Sequence, residues 1–119
     1  MRLVSAALTL TALLLPLAAP AGPFDGRYRP NYDWAESWDC RSAGAPGGAL
    51  MISGDTYLAP GANCTLSDPV EVRDMTAVLY DIACDGPDGP ERQRVMILAH
   101  AFGIYVIAEG LVLDWLRCD

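Results

Sequence analysis

Residues 94–118 read RVMILAHAFGIYVIAEGLVLDWLRC and form the longest apolar stretch that follows the first 21 residues. Gly103 and the pair Glu109-Gly110 interrupt this stretch. A Glu-Gly pair between two apolar runs is typical of a two-residue hairpin turn, because glycine readily adopts the positive φ that such turns need. The stretch therefore predicts three short strands, over about 94–100, 103–108 and 111–118.

Such a hairpin would pair Ala108 with Leu111 and divide the side chains between two faces. One face is wholly apolar and predicts a core face; it comprises Ile104, Val106, Ala108, Leu111, Leu113 and Trp115. The other face is mixed, as expected where a sheet is only partly covered. It comprises Tyr105, Ile107, Val112, Asp114, Leu116 and Cys118.

The first 21 residues have the pattern of a secretory signal peptide. Met1-Arg2 supplies a positive start, an apolar run extends to Leu17, and Ala19-Pro20-Ala21 fits the small-residue cleavage pattern. A membrane-spanning helix is the weaker interpretation, because the run is shorter than the roughly 20 residues of a span and contains Pro16. We therefore predict cleavage after Ala21 and one domain over 22–119.

The rest of the chain alternates short strand signals with turn signals. Strands are predicted from Gly26 to Pro30, over 49–52 and 56–58 around a Gly54-Asp55 turn, at 63–66, at 70–72 after a Ser67-Asp68-Pro69 turn, and over 77–84. In the last of these, Val78, Tyr80, Ile82 and Cys84 share one side. About eight short strands in one domain predict an antiparallel all-β fold, either a small barrel or a compact sandwich.

All four cysteines follow the predicted cleavage site. An even number of cysteines in a short exported chain predicts two disulfides, and four cysteines allow three pairings. The placement of Cys64 and Cys84 on neighbouring strands favours Cys64–Cys84, which leaves Cys40–Cys118 to tie the two ends of the domain together. Zinc is disfavoured, because the chain has no C-x-x-C pair and only one histidine.

The chain is acidic. Removing residues 1–21 takes away Arg2 and no carboxylate, so the formal charge goes from −7 to −8. This charge argues against nucleic acid and against an anionic membrane surface as partners. The favoured interpretation is that the acidity serves solubility, and the alternative is that an acidic face docks a basic protein partner. We expect no membrane insertion after cleavage.

Two groups of residues are candidates for binding. The first is aromatic, and it either stacks on a ligand or, the favoured alternative, plugs an open end of the fold; it comprises Tyr28, Tyr32, Trp34 and Trp38, with Arg27 and Arg29 near enough for cation-π contacts. The second is acidic and predicts a solvated loop or a docking face rather than a calcium site; it comprises Asp81, Asp85, Asp88 and Glu91.

Catalysis has little support in the sequence. His100 is the only histidine, at the end of a predicted strand where a polar rim residue is usual. The chain contains no G-x-S-x-G, phosphate-loop or H-E-x-x-H motif. We therefore expect a protein that is not an enzyme and needs no metal and no cofactor.

Several segments resemble known proteins. Gly26-Arg27-Tyr28 with Arg117 resembles the G-x-W opening and closing arginine of lipocalin-like barrels, although tyrosine stands where tryptophan is usual and the chain is shorter. Periplasmic inhibitors of lysozymes and secreted proteases are similar in size, export and disulfide use. A likeness across most of the chain is to uncharacterised small secreted bacterial proteins, carried by G-x-Y, W-x-C, G-G-A-L-x-I, C-x-L, V-L-Y-D-x-x-C and D-W-x-R-C.

These observations lead to one preferred hypothesis and two alternatives. The preferred hypothesis is a periplasmic or secreted binding protein, inhibitor-like, that acts without catalysis. The first alternative is a structural protein of the envelope with no discrete ligand. The second is a carboxylate-based hydrolase, which would depend on His100 or Asp81.

Overall fold

The computed structural model describes residues 22–86 and 91–119, together with the isolated residues 7 and 12. The predicted signal peptide thus lies almost entirely outside the described residues. Eight antiparallel strands form a closed barrel in which each strand pairs with the next in sequence and the first pairs with the last. The strands are β1 (Gly26–Pro30), β2 (Leu50–Ser53), β3 (Thr56–Ala59), β4 (Ala62–Glu71), β5 (Ala77–Cys84), β6 (Glu91–His100), β7 (Gly103–Ala108) and β8 (Leu111–Arg117).

The all-β prediction is confirmed, and the structure selects the barrel over the sandwich. A short 3-10 helix over Asp33–Ala35 lies in the connection from β1 to β2. No helix within the described ranges has the length and apolar character needed to cross a membrane.

Both predicted two-residue hairpin turns are confirmed. Ala108 pairs with Leu111, and Ser53 pairs with Thr56. The turn glycines have positive φ, 77° at Gly110 and 59° at Gly54. Glycine tolerates this backbone region without the steric cost that a Cβ atom imposes.

The barrel interior is a continuous apolar core. Alternate residues of each strand point inward, and an eight-stranded barrel is just wide enough for those side chains to fill it. The buried cluster comprises Phe24, Tyr28, Leu50, Ile52, Tyr57, Cys64, Leu66, Val78, Ile82, Val95, Ile97, Ile104, Val106 and Trp115.

The predicted core face of β7 and β8 is confirmed except at its far end. Ile104, Val106 and Trp115 are buried, whereas Leu111 is 53% exposed. The reason lies in the seam between β8 and β1, where the ladder runs only over Trp115 to Arg117. The first residues of β8 therefore have no strand beside them on that side.

The predicted turn at Ser67-Asp68-Pro69 is wrong. Residues 62–71 form one strand, and the register to β5 shifts between Ser67 and Val70. Asp68 has a φ of 51° and Pro69 cannot donate to a ladder, so this segment forms a β-bulge within a continuous strand.

The predicted disulfide pairing is confirmed. Cys64 and Cys84 stand directly opposite each other on β4 and β5. Cys40, in the long β1–β2 connection, is bonded to Cys118, which follows β8. The second bridge therefore fastens the long connection to the end of β8, close to the seam that closes the barrel.

Candidate binding surface

The aromatic segment is divided between the interior and the surface. Tyr28 is fully buried, and its hydroxyl donates a hydrogen bond to the carbonyl oxygen of Phe24. Burial raises the pKa of the Tyr28 hydroxyl. Trp38 packs partly against the core. Tyr28 is therefore structural, whereas Trp38 connects the core to the surface aromatics, because its ring centroid lies 6.0 Å from that of Trp34 in an edge-on arrangement.

Tyr32 and Trp34 form a stacked pair on the surface. Their ring centroids are 5.7 Å apart and their planes differ by 8°. Trp34 is 67% exposed, so it does not plug the barrel as the favoured prediction would require. The 3-10 turn explains this, because it directs the small Ala35 inward, where it is fully buried, and leaves Trp34 outside.

The cation beside Tyr28 is Arg117, not Arg27 or Arg29. The Arg117 guanidinium carbon lies 5.2 Å from the centre of the Tyr28 ring. Side chains alternate along a strand, so the neighbours of the inward Tyr28 on β1 point outward. The two chain segments that carry the lipocalin-like resemblance therefore pair with each other at the β1–β8 seam.

In the described structure, the acidic residues do not form a single surface whose negative charges all lack a positively charged partner. Asp81 points outward from the middle of β5, and its carboxylate accepts a hydrogen bond from Arg94 at 2.8 Å. This bond is the main reason why the pKa of Asp81 is lowered. Asp85 is exposed just after β5. Asp88 and the side chain of Glu91 lie outside the described residues.

His100 is held by hydrogen bonds on both ring nitrogens. Its Nδ1 accepts from the backbone N–H of Phe102 at 3.1 Å, and its Nε2 lies 2.9 Å from a carboxylate oxygen of Asp114. The side-chain amide of Asn31 donates to the second oxygen of Asp114 at 3.0 Å. The predicted rim residue thus links β6, β8 and the end of β1. These hydrogen bonds fix the orientation of the imidazole ring.

The described part of the chain contains no group of side chains that is suited to bind a metal ion. Within residues 22–86 and 91–119, no three side chains of the histidine, cysteine, aspartate or glutamate types come together as a group that could hold an ion.

The most distinctive surface feature is an apolar row on the outside of the barrel. Its five side chains stand next to one another in the ladders of β4 to β8, each in direct register with the next. We call this set the outer apolar row; it comprises Val70, Leu79, Met96, Ile107 and Val112.

The outer apolar row is accessible to solvent. Val70 is 50% exposed and Val112 is 57% exposed, while the three side chains between them are partly exposed. The outward face of a soluble antiparallel sheet is normally polar, which gives strands their alternating pattern. Large contiguous apolar patches on the surface of a protein are commonly sites of interaction.

The neighbouring rows show that the apolar character is local. Towards the other end of β4, β5 and β6, the next outward row is polar, and it comprises Ser67, Asp81 and Arg94. The row beyond it contains Thr65, Ala83 and Arg92. The outside of β4, β5 and β6 is thus polar towards this end and apolar at the outer apolar row.

The β8 end of the row lies beside further exposed apolar side chains. Leu111 precedes Val112 at the start of β8. Asn31 is hydrogen-bonded through its backbone to Asp114, and the stacked Tyr32 and Trp34 follow it. Leu111 alternates with Val112 along β8 and so points to the other face of the strand.

Sequence reasoning missed this surface. The sequence places Ile107 and Val112 on the mixed face of their hairpin, but each strand contributes only one member to the row. The available signal was the unusual number of apolar residues at outward positions of β6, β7 and β8.

Comparison with protein-family models, with curated proteins and with solved structures finds no match.

Proposed function

We propose that this chain is a small exported binding protein that engages a protein partner through the outer apolar row, in the manner of an inhibitor and without catalysis. The observation that carries the proposal is the row itself, five apolar side chains in register on the outer face of a barrel whose interior is already filled. Fixed apolar surface of this kind is favourable to cover, because covering it removes it from water.

The closed barrel limits how such a partner can bind. Every strand pairs with two neighbours over at least part of its length, so only short stretches such as the start of β8 lack a paired strand on one side. The outer face and the loops are therefore the main surfaces that a partner can contact. The formal charge of −8 after signal cleavage favours a partner with basic residues around its apolar patch.

We also propose that the protein is exported and acts in the periplasm or beyond the cell. Two disulfides suit an oxidising compartment, where such bonds form and persist. We expect the protein purified from its native cell to begin at Gly22, which N-terminal sequencing measures. A chain that retains Met1 would contradict the export proposal.

Site-specific photo-cross-linking tests the binding surface. A photoreactive amino acid replaces Ile107 in the outer apolar row or, as a matched control, Thr65, which is exposed on the polar part of the barrel. In native envelope material we expect one stoichiometric protein adduct from position 107, none from position 65, and loss of the adduct when Met96→Glu is added.

The same experiment separates the alternative functions. Diffuse adducts with peptidoglycan or outer-membrane material would indicate a structural protein of the envelope. Equal adducts from positions 107 and 65 would show that the outer apolar row is not the binding surface. High salt should weaken a specific adduct if the partner is basic, because salt screens the attraction between exposed charges.

A further inference from the structure

A cleft opens at the end of the barrel that carries the β4–β5 connection. It has two parts, with volumes of about 780 and 340 Å³, that share Pro23, Glu71 and Val78. We call this pair the mouth cleft. Each part falls in the range of about 300–1,000 Å³ typical of small-ligand sites, which are common in the mouths of β-barrels.

The inner wall of the mouth cleft is apolar and fixed. Leu66 and Val78 line it from neighbouring strands, and both side chains are buried in the core cluster. Phe24, also buried, lines the larger part. A ligand entering the cleft would therefore meet hydrocarbon that the barrel already holds in place.

Carboxylates stand around this apolar wall. Glu71 borders both parts, and Asp55 borders the smaller one. Within the described ranges neither has an ion-pair partner. The cleft's one arginine, Arg73, is paired with Asp74 at 3.6 Å, and both side chains are almost fully exposed.

Tyr80 lies near the negative charges that border the cleft. Its side chain lines the smaller part beside Val78. The pKa of the Tyr80 hydroxyl is raised, first by burial and then by the negative charges of Asp25 and Glu71. A positive charge placed near this hydroxyl would be stabilised by the same carboxylates, and an anion would be repelled.

We propose that the mouth cleft binds a cationic group carried on an apolar stem, an ammonium or guanidinium group whose charge pairs with Glu71 while its hydrocarbon covers Leu66 and Val78. This chemistry fits a small organic amine, and it equally fits a lysine or arginine side chain of a protein. The site lies at one end of the barrel, and its lining residues differ from those of the outer apolar row, with which they alternate along β4 and β5.

The test uses n-butylguanidinium and n-butylammonium as probes of the full mature protein, followed by backbone amide NMR. Butyrate and n-butanol carry a stem of similar length with a negative or no charge. We expect saturable shifts confined to residues 75–80 and to Gly54 with the cations, at affinities near 1 mM, where small fragments bind. Butyrate and n-butanol should cause no comparable shifts.

Two matched variants test the role of the carboxylate. Glu71→Gln should weaken cation binding about fivefold, the size of one exposed ion pair. Glu109→Gln removes the same charge at the β7–β8 turn, at the other end of the barrel, and should leave the affinity unchanged. Unchanged amide spectra of both free variants, outside the substituted site, verify that the fold is intact.

A capped peptide with one arginine among neutral residues distinguishes the two sources of the cation. Binding of the peptide at the same amides indicates a protein side chain, and exclusion of the peptide while the small cations bind indicates a free amine. The proposal is overturned if no cation gives saturable shifts at the mouth cleft, if butyrate binds equally, or if Glu71→Gln binds as the wild type does. None of these outcomes changes the cross-linking result at position 107.

Discussion

At the scale of single residues, Gly103 shows how closely the barrel strands approach. A Cβ atom placed on this glycine would lie 1.9 Å from the backbone oxygen of Trp115 on β8. Gly103 pairs with Leu116 across the β7–β8 ladder, so this clash lies between two paired strands. The backbone of β8 cannot move aside to relieve this clash, as the far end of a flexible side chain could.

We therefore expect Gly103→Ala to destabilise the protein by about 3 kcal/mol, the upper part of the range for overpacking. Gly61→Ala is the control, because a Cβ atom there meets nothing within 4 Å although its φ is 74°. Its cost should be only the roughly 1–2 kcal/mol of a left-handed backbone. Urea unfolding measures both values, and equal losses would show that the close approach to Trp115 does not matter.

Asp39 is a second residue with a measurable signature. The backbone N–H groups of Ser42 and Arg41 and the Ser42 hydroxyl all donate to its carboxylate. These bonds, those from Ser42 foremost, lower the pKa of Asp39 below its usual value of 3.8. The turn they fix contains Cys40, which has a φ of 60°.

The lowered pKa has a defined consequence for stability. Folding favours the carboxylate form, so the contribution of Asp39 is complete above its ordinary pKa and is lost as the pH falls through the lower folded value. A carboxyl-detected NMR titration should place the native midpoint of Asp39 below 3.8. A native midpoint at or above that of the urea-unfolded chain would contradict the hydrogen-bonded turn.

At the scale of elements, local patterns were enough to predict most strands and their hairpins. The Glu109-Gly110 and Gly54-Asp55 turns, the alternation over 77–84 and the facing of Cys64 and Cys84 all depend on residues close in sequence. The bulge in β4 could not be predicted in this way, because Ser67-Asp68-Pro69 has the composition of a turn. Only its pairing with β5 shows that the strand continues.

The bulge itself is testable at Asp68. Its φ of 51° lies in the left-handed region, where aspartate is tolerated better than β-branched residues. Asp68→Gly should leave stability within about 1 kcal/mol of the wild type or raise it slightly, because glycine relieves the backbone cost. Asp68→Val should lose about 2 kcal/mol. If thermal or urea unfolding ranks valine at or above glycine, the bulge conformation is incorrect.

Candidate sites were harder to predict than strands, and the reason is register. The outer apolar row combines one residue from each of five strands, and the mouth cleft combines Pro23, the β2–β3 turn and β4 and β5. Neither set is contiguous in sequence. The members of the acidic group are close together in sequence, but the pairing of β5 with β6 places Arg94 beside Asp81 and so neutralises part of its charge.

At the scale of the whole molecule, the two disulfides enclose loops of very different length. Cys64 and Cys84 are 20 residues apart, and Cys40 and Cys118 are 78 apart. On the chain-entropy model the shorter loop contributes about 3 kcal/mol and the longer one about 4.5 kcal/mol. The longer bridge alone is close to the lower end of the roughly 5–15 kcal/mol that stabilises a typical domain.

We expect the double variant Cys40→Ala/Cys118→Ala to lose about 4.5 kcal/mol and to unfold at much lower urea concentration than the wild type. The control is Cys64→Ala/Cys84→Ala, for which the loop term is about 3 kcal/mol; Cys64 is also buried, so loss of packing adds to it. A Cys40→Ala/Cys118→Ala variant with the unfolding midpoint of the wild type would show that this bridge does not stabilise the closed barrel.

The order of strands around the barrel also determines the order in which the chain can fold into it. Seven of the eight ladders join strands that follow each other in sequence, whereas the seam joins Tyr28 to Arg117. Contacts between sequence neighbours form quickly, and a contact across nearly the whole domain carries the largest loop-closure cost. We expect the hairpins to assemble first and β1 to meet β8 last. Until that step the nascent sheet has two open edges, so its tendency to aggregate is concentrated in the interval before closure.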